Sequence, residues 1–199
     1  MNHLNCFMKL NDYKIKRYYG RCYTFENQLM DYEVEMIKRL AGTFPCKTAL
    51  LSGNGEDNSY RRSTVRWIKN INESCGLFDK LGELVKVANK EFWGFDIVGF
   101  GENLQYGEYN SANKGFYDWH IDVGPNDPYR KISMSIQLTD PSEYEGGELQ
   151  IKSNNSITTV SKKKGTIIFF PSFMLHRVTP VTKGVRHSLV GWITGPPFK

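Results

Sequence analysis

The chain has 199 residues, with 26 Lys and Arg against 21 Asp and Glu, a net charge of +5, 40% hydrophobic residues and 24% charged ones. This is the make-up of a single globular domain that buries a core without disulfide or metal staples, and it excludes a disordered or collagen-like chain. No apolar run reaches the length of a membrane helix, and Met1-Asn2-His3-Leu4-Asn5-Cys6 lacks the basic and apolar regions of a secretory signal. The four cysteines, Cys6, Cys22, Cys46 and Cys75, form no C-x-x-C pair. They read as reduced thiols, so the expected compartment is the cytoplasm, without membrane association. The basic residues are scattered, and Lys162-Lys163-Lys164 reads as a solvated turn, so nucleic acid is not an expected partner.

Along the chain, two helical patterns come first. One runs from about Phe25 to Leu40, with Thr24 as its expected N-cap, and the other from about Cys75 to Phe92, with Leu77, Phe78, Leu81, Leu84, Val85 and Val87 as the apolar face. Between them Ser63 to Ile68 is a short β-type run behind the Gly/Asn-rich loop Gly53–Asn58. From about residue 94 the pattern is strand after strand: Asp96–Gly101, Asn103–Tyr109, Gly115–Ile121, Lys131–Leu138, Glu148–Lys152, Ile157–Val160, Thr166–Phe170, Leu175–Thr179 and Arg186–Thr194. Lys131–Leu138 alternates with period 2, as half-buried strands do. The expected architecture is α+β: one domain over 1–199, in which an N-terminal support of about 1–93 buttresses an antiparallel jelly-roll core, a double-stranded β-helix, of about 94–199.

The residues that can carry chemistry are few. Among the four histidines, His120 and Asp122 stand two apart on an expected strand and so share a face. By itself that pair is also what an ordinary hydrogen-bonded surface pair looks like. His176 adds a second imidazole, and two imidazoles with one carboxylate suit non-haem Fe(II), because three coordination positions stay open. The same three ligands fit a zinc hydrolase, which would need a general base that the sequence does not clearly offer. Arg186, ten residues after His176, has the fork geometry for the free carboxylate of a 2-oxoacid. A hairpin through Thr179–Gly184 is expected to bring it to the metal. Ser188 shares its face and His187 points away.

These spacings resemble the Fe(II)/2-oxoglutarate-dependent oxygenases. Leu104–Tyr109, Gly115–Asp122, Ser133–Thr139, Tyr144–Leu149, Gly165–Pro171 and His176–Arg186 are similar to the prolyl 4-hydroxylase group, and in detail to its PKHD-type branch, as are Arg62-Ser63 and Trp67 before them. The likeness covers about residues 60–194. It implies that His120, Asp122 and His176 bind Fe(II), that Arg186 holds the distal carboxylate of 2-oxoglutarate, and that the Tyr109 hydroxyl contacts this cosubstrate. Gln137 stands where some relatives place a second cosubstrate-binding tyrosine. Trp192 matches an aromatic of the last strand and is expected in the core, and Gly146-Gly147 matches a glycine pair that makes a turn. Tyr106, Tyr117 and Trp119 are expected near the substrate.

The implied reaction consumes O2 and 2-oxoglutarate, releases succinate and CO2, and hydroxylates an unactivated C–H bond, with ascorbate as an optional addition. The substrate it points to first is a prolyl residue in a peptide or protein. Alternatives are a hydroxylase of a free amino acid or other small molecule, and a non-catalytic jelly roll that binds a carboxylate. A nucleic-acid base demethylase is disfavoured, because no second arginine follows on the last strand. The segments Gly53–Asn58 and Gly124–Arg130 are those whose closure over substrate the sequence leaves open, together with the oligomeric state.

Overall fold

The computed structural model describes residues 15–17, 22–49, 59–153 and 155–198; the loop Gly53–Asn58 lies outside them. With strands numbered along the chain, the larger antiparallel sheet runs β1 (Ile15–Arg17), β2 (Tyr23–Phe25), β13 (Ile167–Pro171), β9 (Arg130–Gln137), β15 (Val181–Thr194), β7 (Leu104–Asn110), β5 (Thr64–Ile68) and β3 (Lys47–Thr48). Strands β6 (Gly99–Phe100) and β10 (Tyr144–Gly146) also pair with β15. The smaller sheet runs β12 (Ser156–Thr159), β11 (Leu149–Ser153), β14 (His176–Val178), β8 (Phe116–His120) and β4 (Arg61–Arg62). Strands from both ends of the sequence thus interleave in one jelly roll, the architecture expected from the run of short strands.

The larger sheet is covered on both sides, which explains why all eight residues of β9 are buried although its sequence alternates. Ile132, Met134 and Ile136 join Ile167, Phe169, Leu189 and Ile193 against the helices α1 (Asp31–Gly42) and α2 (Cys75–Phe92). From α2 come Leu77, Phe78, Leu81, Val85 and Ala88, and from α1 come Val34, Ile37 and Ala41. Each large side chain buried here contributes on the order of 1.5–3 kcal/mol, which fixes the helices to the sheet. The other face of the sheet presents Ile168, Phe170 and Val181 to Leu149, Ile151 and Val178 of the smaller sheet. Among the described residues no helix is long and apolar enough to cross a membrane.

Helix α2 has the expected bounds, but α1 does not. Thr24 is not an N-cap: it lies fully buried in β2, where the ladder Phe25–Ile167, Thr24–Ile168 and Tyr23–Phe169 carries this segment into the sheet. Asn27, at φ +58, turns the chain, and the helix starts only at Asp31, where the Glu33 carboxylate accepts from the Met30 N–H at 2.9 Å. Sheet pairing has overridden a local helix signal. The expected hairpin between His176 and Arg186 is also absent. β14 belongs to the smaller sheet and β15 to the larger, so the two residues meet across the sandwich rather than along one edge. The Gly146-Gly147 turn is as expected, with φ +73 and +62, and a Cβ on Gly147 would come within 3.0 Å of Arg186 Cδ.

Candidate metal centre and its pocket

His120 ends β8, Asp122 follows it in a bend, and His176 opens β14 directly opposite His120 in the ladder. One ligand atom from each residue lies within 4.8 Å of the others. His120 Nε2 is 3.7 Å from Asp122 Oδ1, and His176 Nε2 is 3.5 Å from Asp122 Oδ2. The opposite ring nitrogens are committed: His120 Nδ1 meets the Asp118 carbonyl at 2.7 Å and His176 Nδ1 the Met174 carbonyl at 2.8 Å. A carbonyl can only accept, so both Nδ1 atoms carry the proton and both Nε2 lone pairs point at the carboxylate. This is the arrangement in which backbone acceptors orient imidazoles as metal ligands.

The carboxylate is fixed just as firmly. Asp122 Oδ2 accepts from Ser133 Oγ at 2.5 Å, and Ser133 is in turn 3.0 Å from Ser172 Oγ. The Asp122 N–H donates to the Ser172 carbonyl at 2.9 Å, and its own carbonyl accepts from Arg130 at 3.2 Å. Burial by itself pushes the Asp122 carboxyl up, but the two imidazoles and the Ser133 hydroxyl outweigh it and hold it below the usual range. Burial, and then the neighbouring His176, hold the His120 imidazole well below its ordinary value. A neutral imidazole beside an ionised carboxylate is the protonation state a metal requires. The donor set of two nitrogens and one oxygen fits Fe(II).

A cavity of about 120 Å³ opens over these three residues, with Arg186 at one end. Arg186 is 1% exposed. Its Nη2 donates to Gln137 Oε1 at 3.0 Å and its Nη1 reaches Ser188 Oγ at 3.4 Å, while Nε has no partner. Among the described residues no carboxylate pairs with it. Tyr109 lies beside it in the next strand, with the guanidinium carbon 5.4 Å from the ring centre. Gln137 is not in the cavity wall. Its amide oxygen holds Arg186 and its amide nitrogen donates to the Ser161 carbonyl at 3.2 Å, so it braces the arginine from behind.

Sequence reasoning missed Tyr144. It sits opposite Gly184 in the ladder, two residues from Arg186 and on the same face, and its buried hydroxyl makes no hydrogen bond. Burial raises its phenol, and the positive Arg186 beside it pulls it back. Lys162 lies over its ring at 4.1 Å and donates to the Gly146 carbonyl at 2.9 Å, so this lysine is not the solvated turn residue expected.

The other side of the pocket carries the substrate-facing candidates, and here a bulge decides. Register shifts between β14 and β8, so that Asp118 and Trp119 together stand opposite Arg177. Without the bulge Tyr117 and Trp119 would share a face. With it, Tyr117 stacks on His120 at 3.5 Å, and Trp119 turns out of the cavity to lie under Arg177 at 4.6 Å. Burial pushes the Tyr117 phenol up to about 12 against the pull of Arg61. Tyr106 is likewise outside the cavity: it stacks on His187 at 5.4 Å, on the helix side of the sheet. Trp192 is buried, as expected of a core residue, and also lines the cavity with Trp67, their rings 6.1 Å apart. Its indole N–H lies beside Asp122 without completing a hydrogen bond.

Two further arginines were not read as wall residues. Arg130 lies over Trp192 at 4.0 Å, with Glu102 at 2.5 Å and Asp127 at 3.4 Å neutralising it. Arg61 stands close in sequence to Arg62 and Arg66, but the strands disperse the three. Arg61 turns into the cavity, Arg62 donates to the Asn113 carbonyl, and Arg66 donates to the Phe44 carbonyl.

Residues 104–194 match the family described as the 2OG-Fe(II) oxygenase superfamily. A PKHD-type hydroxylase of Synechococcus sp. (strain CC9311) is 35% identical over 128 residues, which are 62% of this chain and 57% of that protein. The chain spans little more than half the length of this curated relative and less of several others. Among solved structures, a prolyl-4-hydroxylase from Pseudomonas putida superposes with a TM-score of 0.71 at 18% identity, covering 89% of this chain and 94% of the other. A prolyl hydroxylase from Trichoplax adhaerens, in complex with a hypoxia inducible factor oxygen degradation domain peptide fragment, gives a TM-score of 0.73 at 19% identity, covering 89% and 84%. At these identities the two structures support the fold.

Proposed function

We propose, for a chain whose residues 104–194 match the 2OG-Fe(II) oxygenase superfamily, that it is a 2-oxoglutarate-dependent dioxygenase that hydroxylates a prolyl residue of a peptide. The observation that carries this reading is one cavity holding both the His120–Asp122–His176 cluster and the buried, anion-free Arg186. Bound Fe(II), with 2-oxoglutarate and O2, supplies the chemistry that converts a C–H bond to C–OH and releases succinate and CO2.

The chain's own residues do the positioning. His120, Asp122 and His176 hold the metal through Nε2, a carboxylate oxygen and Nε2, each oriented by the backbone or by Ser133. Arg186, steadied by Gln137 and Ser188, takes the distal carboxylate of the cosubstrate, with the Tyr109 ring beside it. A guanidinium removed from water at 1% exposure favours a carboxylate strongly, because no solvent competes for its N–H groups. Leu149, Phe170 and Val178 keep the intervening wall apolar. At the opposite end Trp67 and Trp192 offer flat apolar faces to a small saturated ring.

The peptide reading is preferred to a free amino acid because the only carboxylate in the described cavity wall is Asp122, which the metal uses. A free ammonium would be desolvated there without a partner. The PKHD-type and prolyl hydroxylase relatives support the same substrate class. The test is incubation with Fe(II), 2-oxoglutarate and a panel of end-blocked proline peptides beside free L-proline, read by mass spectrometry for one added oxygen and by succinate release. Conversion of free proline with no peptide converted would overturn the prolyl-peptide reading. Absence of 2-oxoglutarate turnover with every substrate, in protein shown to bind metal, would count against the dioxygenase reading.

A further inference from the structure

Besides Arg186, the cavity wall carries a second buried arginine with no acidic partner among the described residues. Arg61 is 7% exposed and lies in the cavity wall. It belongs to β4, where it pairs with Tyr117, and its guanidinium carbon sits 4.5 Å over the Tyr117 ring, which stacks in turn on His120. Its place along the pocket follows from register. Arg61 Nη2 donates to Gln105 Oε1 at 2.8 Å, and Gln105 faces Val190 of β15, four residues beyond Arg186. The Arg186 guanidinium is held at the Gln137–Ser188 row and that of Arg61 at the Gln105–Val190 row, so the two are tied to different rows of the sheet.

Nothing within the described chain neutralises Arg61. Its Nε donates to Ser63 Oγ at 2.9 Å, and its remaining contacts are the Gln105 amide oxygen and the Tyr117 ring, all of them uncharged. Arg130, the other arginine on this side, already has Glu102 and Asp127. A guanidinium held out of water by neutral groups is costly to keep, and an anion delivered by a ligand recovers that cost. The wall around it offers no partner for a substrate ammonium. Resting on the dioxygenase reading above, we propose that Arg61 anchors a carboxylate carried by the substrate itself. The favoured target is then a prolyl residue that either neighbours an acidic side chain or bears the terminal carboxylate of its peptide.

The experiment uses two isosteric peptide pairs, all N-acetylated: internal Pro-Asp against Pro-Asn in C-amidated peptides, and C-terminal proline as free acid against its amide. Binding to protein loaded with Mn(II) and 2-oxoglutarate is read from the fluorescence of the tryptophans, and oxygen addition is read separately with Fe(II). In the wild type the carboxylate member of at least one pair binds about tenfold or more tightly, the scale of one charge-assisted hydrogen bond. The responding pair identifies the source of the carboxylate. Arg61→Gln abolishes the preference. Gln105→Glu, which hands Arg61 an internal carboxylate at the position of its present amide partner, abolishes it with the arginine still in place. Arg61→Gln leaves the affinity for 2-oxoglutarate unchanged.

Equal binding within both pairs by the wild type, or a preference that survives in both folded variants, overturns the anchor. Loss of 2-oxoglutarate affinity in Arg61→Gln reassigns the residue to the cosubstrate and overturns it as well. Arg61-dependent binding without oxygen addition upholds the anchor and counts against the prolyl hydroxylase reading, whereas oxygen addition without carboxylate preference does the reverse.

Discussion

Replacing Arg186 by methionine separates cosubstrate binding from metal binding and from stability. Methionine keeps much of the side-chain volume in a site that is 1% exposed, but removes the charge. What is lost towards the cosubstrate is a charge-assisted contact in a desolvated pocket. Truncating one partner of such a pair costs about 2–4 kcal/mol, roughly thirtyfold to a thousandfold in affinity. What is lost within the protein is small. The bond to Ser188 is long at 3.4 Å, the bond to Gln137 is one neutral acceptor, Nε has no partner, and no described carboxylate pairs with the group. The ligand-free variant should therefore unfold within about 1–2 kcal/mol of the wild type, because the loss of two modest bonds is offset by the relief of an unneutralised buried charge. Calorimetric titration of 2-oxoglutarate into Mn(II)-loaded protein measures the first effect, Mn(II) titration alone the control, and urea unfolding the second. An unchanged 2-oxoglutarate affinity refutes the reasoning. Lys183 could not then be the substitute, since it is exposed and pairs with Glu145 at 3.2 Å; Lys162, over Tyr144, would be the cation to examine.

Asp122→Ala should abolish the stabilisation that Mn(II) gives the wild type, about 2.7 kcal/mol at a hundred times its Kd, as read from the shift in Tm with metal. Ser133→Ala, which removes the 2.5 Å bond to Asp122, should weaken metal affinity by about tenfold or more while leaving the ligands in place. Gly147→Ala, at φ +62 with its Cβ 2.9 Å from Val181 Cγ2 and 3.0 Å from Arg186 Cδ, should cost about 1–3 kcal/mol of stability and weaken 2-oxoglutarate binding with it. His187 is held below its ordinary value by burial, against the opposing pull of Glu108. Below about pH 6.5 the unfolded chain takes up the proton first. Its contribution is therefore intact above that pH and is lost as the pH falls, and urea midpoints between about pH 7.5 and 5.5 should decline less steeply in His187→Gln.

The features legible in the sequence are those written locally. Helix α2 shows its apolar stripe from Cys75 to Phe92 and nothing competes for that stretch. His120 and Asp122 announce themselves by a spacing of two, and Arg186 and Ser188 share a face by the same rule. The illegible features depend on partners distant in sequence. Thr24 has the chemistry of an N-cap, and only the pairing of β2 with β13 makes it a strand residue. Of the residues read as a hairpin turn, Thr179–Gly184, only Thr179 and Pro180 connect the strands and β15 begins at Val181; local patterns do not say that β14 and β15 enter different sheets. Arg61 and Arg130 reach the pocket from different sheets, on β4 and β9, and each reads as an ordinary surface arginine in its own segment.

The single-residue slip in β8 shows most directly how register becomes chemistry. Strict alternation from His120 places Asp118 on its face, and Tyr117 with Trp119 on the other. The bulge opposite Arg177 moves Tyr117 across, and three consequences follow together. The phenol ring stacks on the His120 imidazole and, with the Asp118 carbonyl on Nδ1, limits its rotation. The same ring lies under the Arg61 guanidinium, so β4 is tied to the centre through an aromatic contact rather than an ion pair. Arg177 is left to pair with Trp119 and Gln150 outside the cavity, where it adds no third unneutralised charge to the wall. A cavity in which two arginines without acidic partners, Arg186 and Arg61, stand beside the candidate ligands is thus a consequence of backbone register. It gives the lining a second unneutralised positive charge besides Arg186.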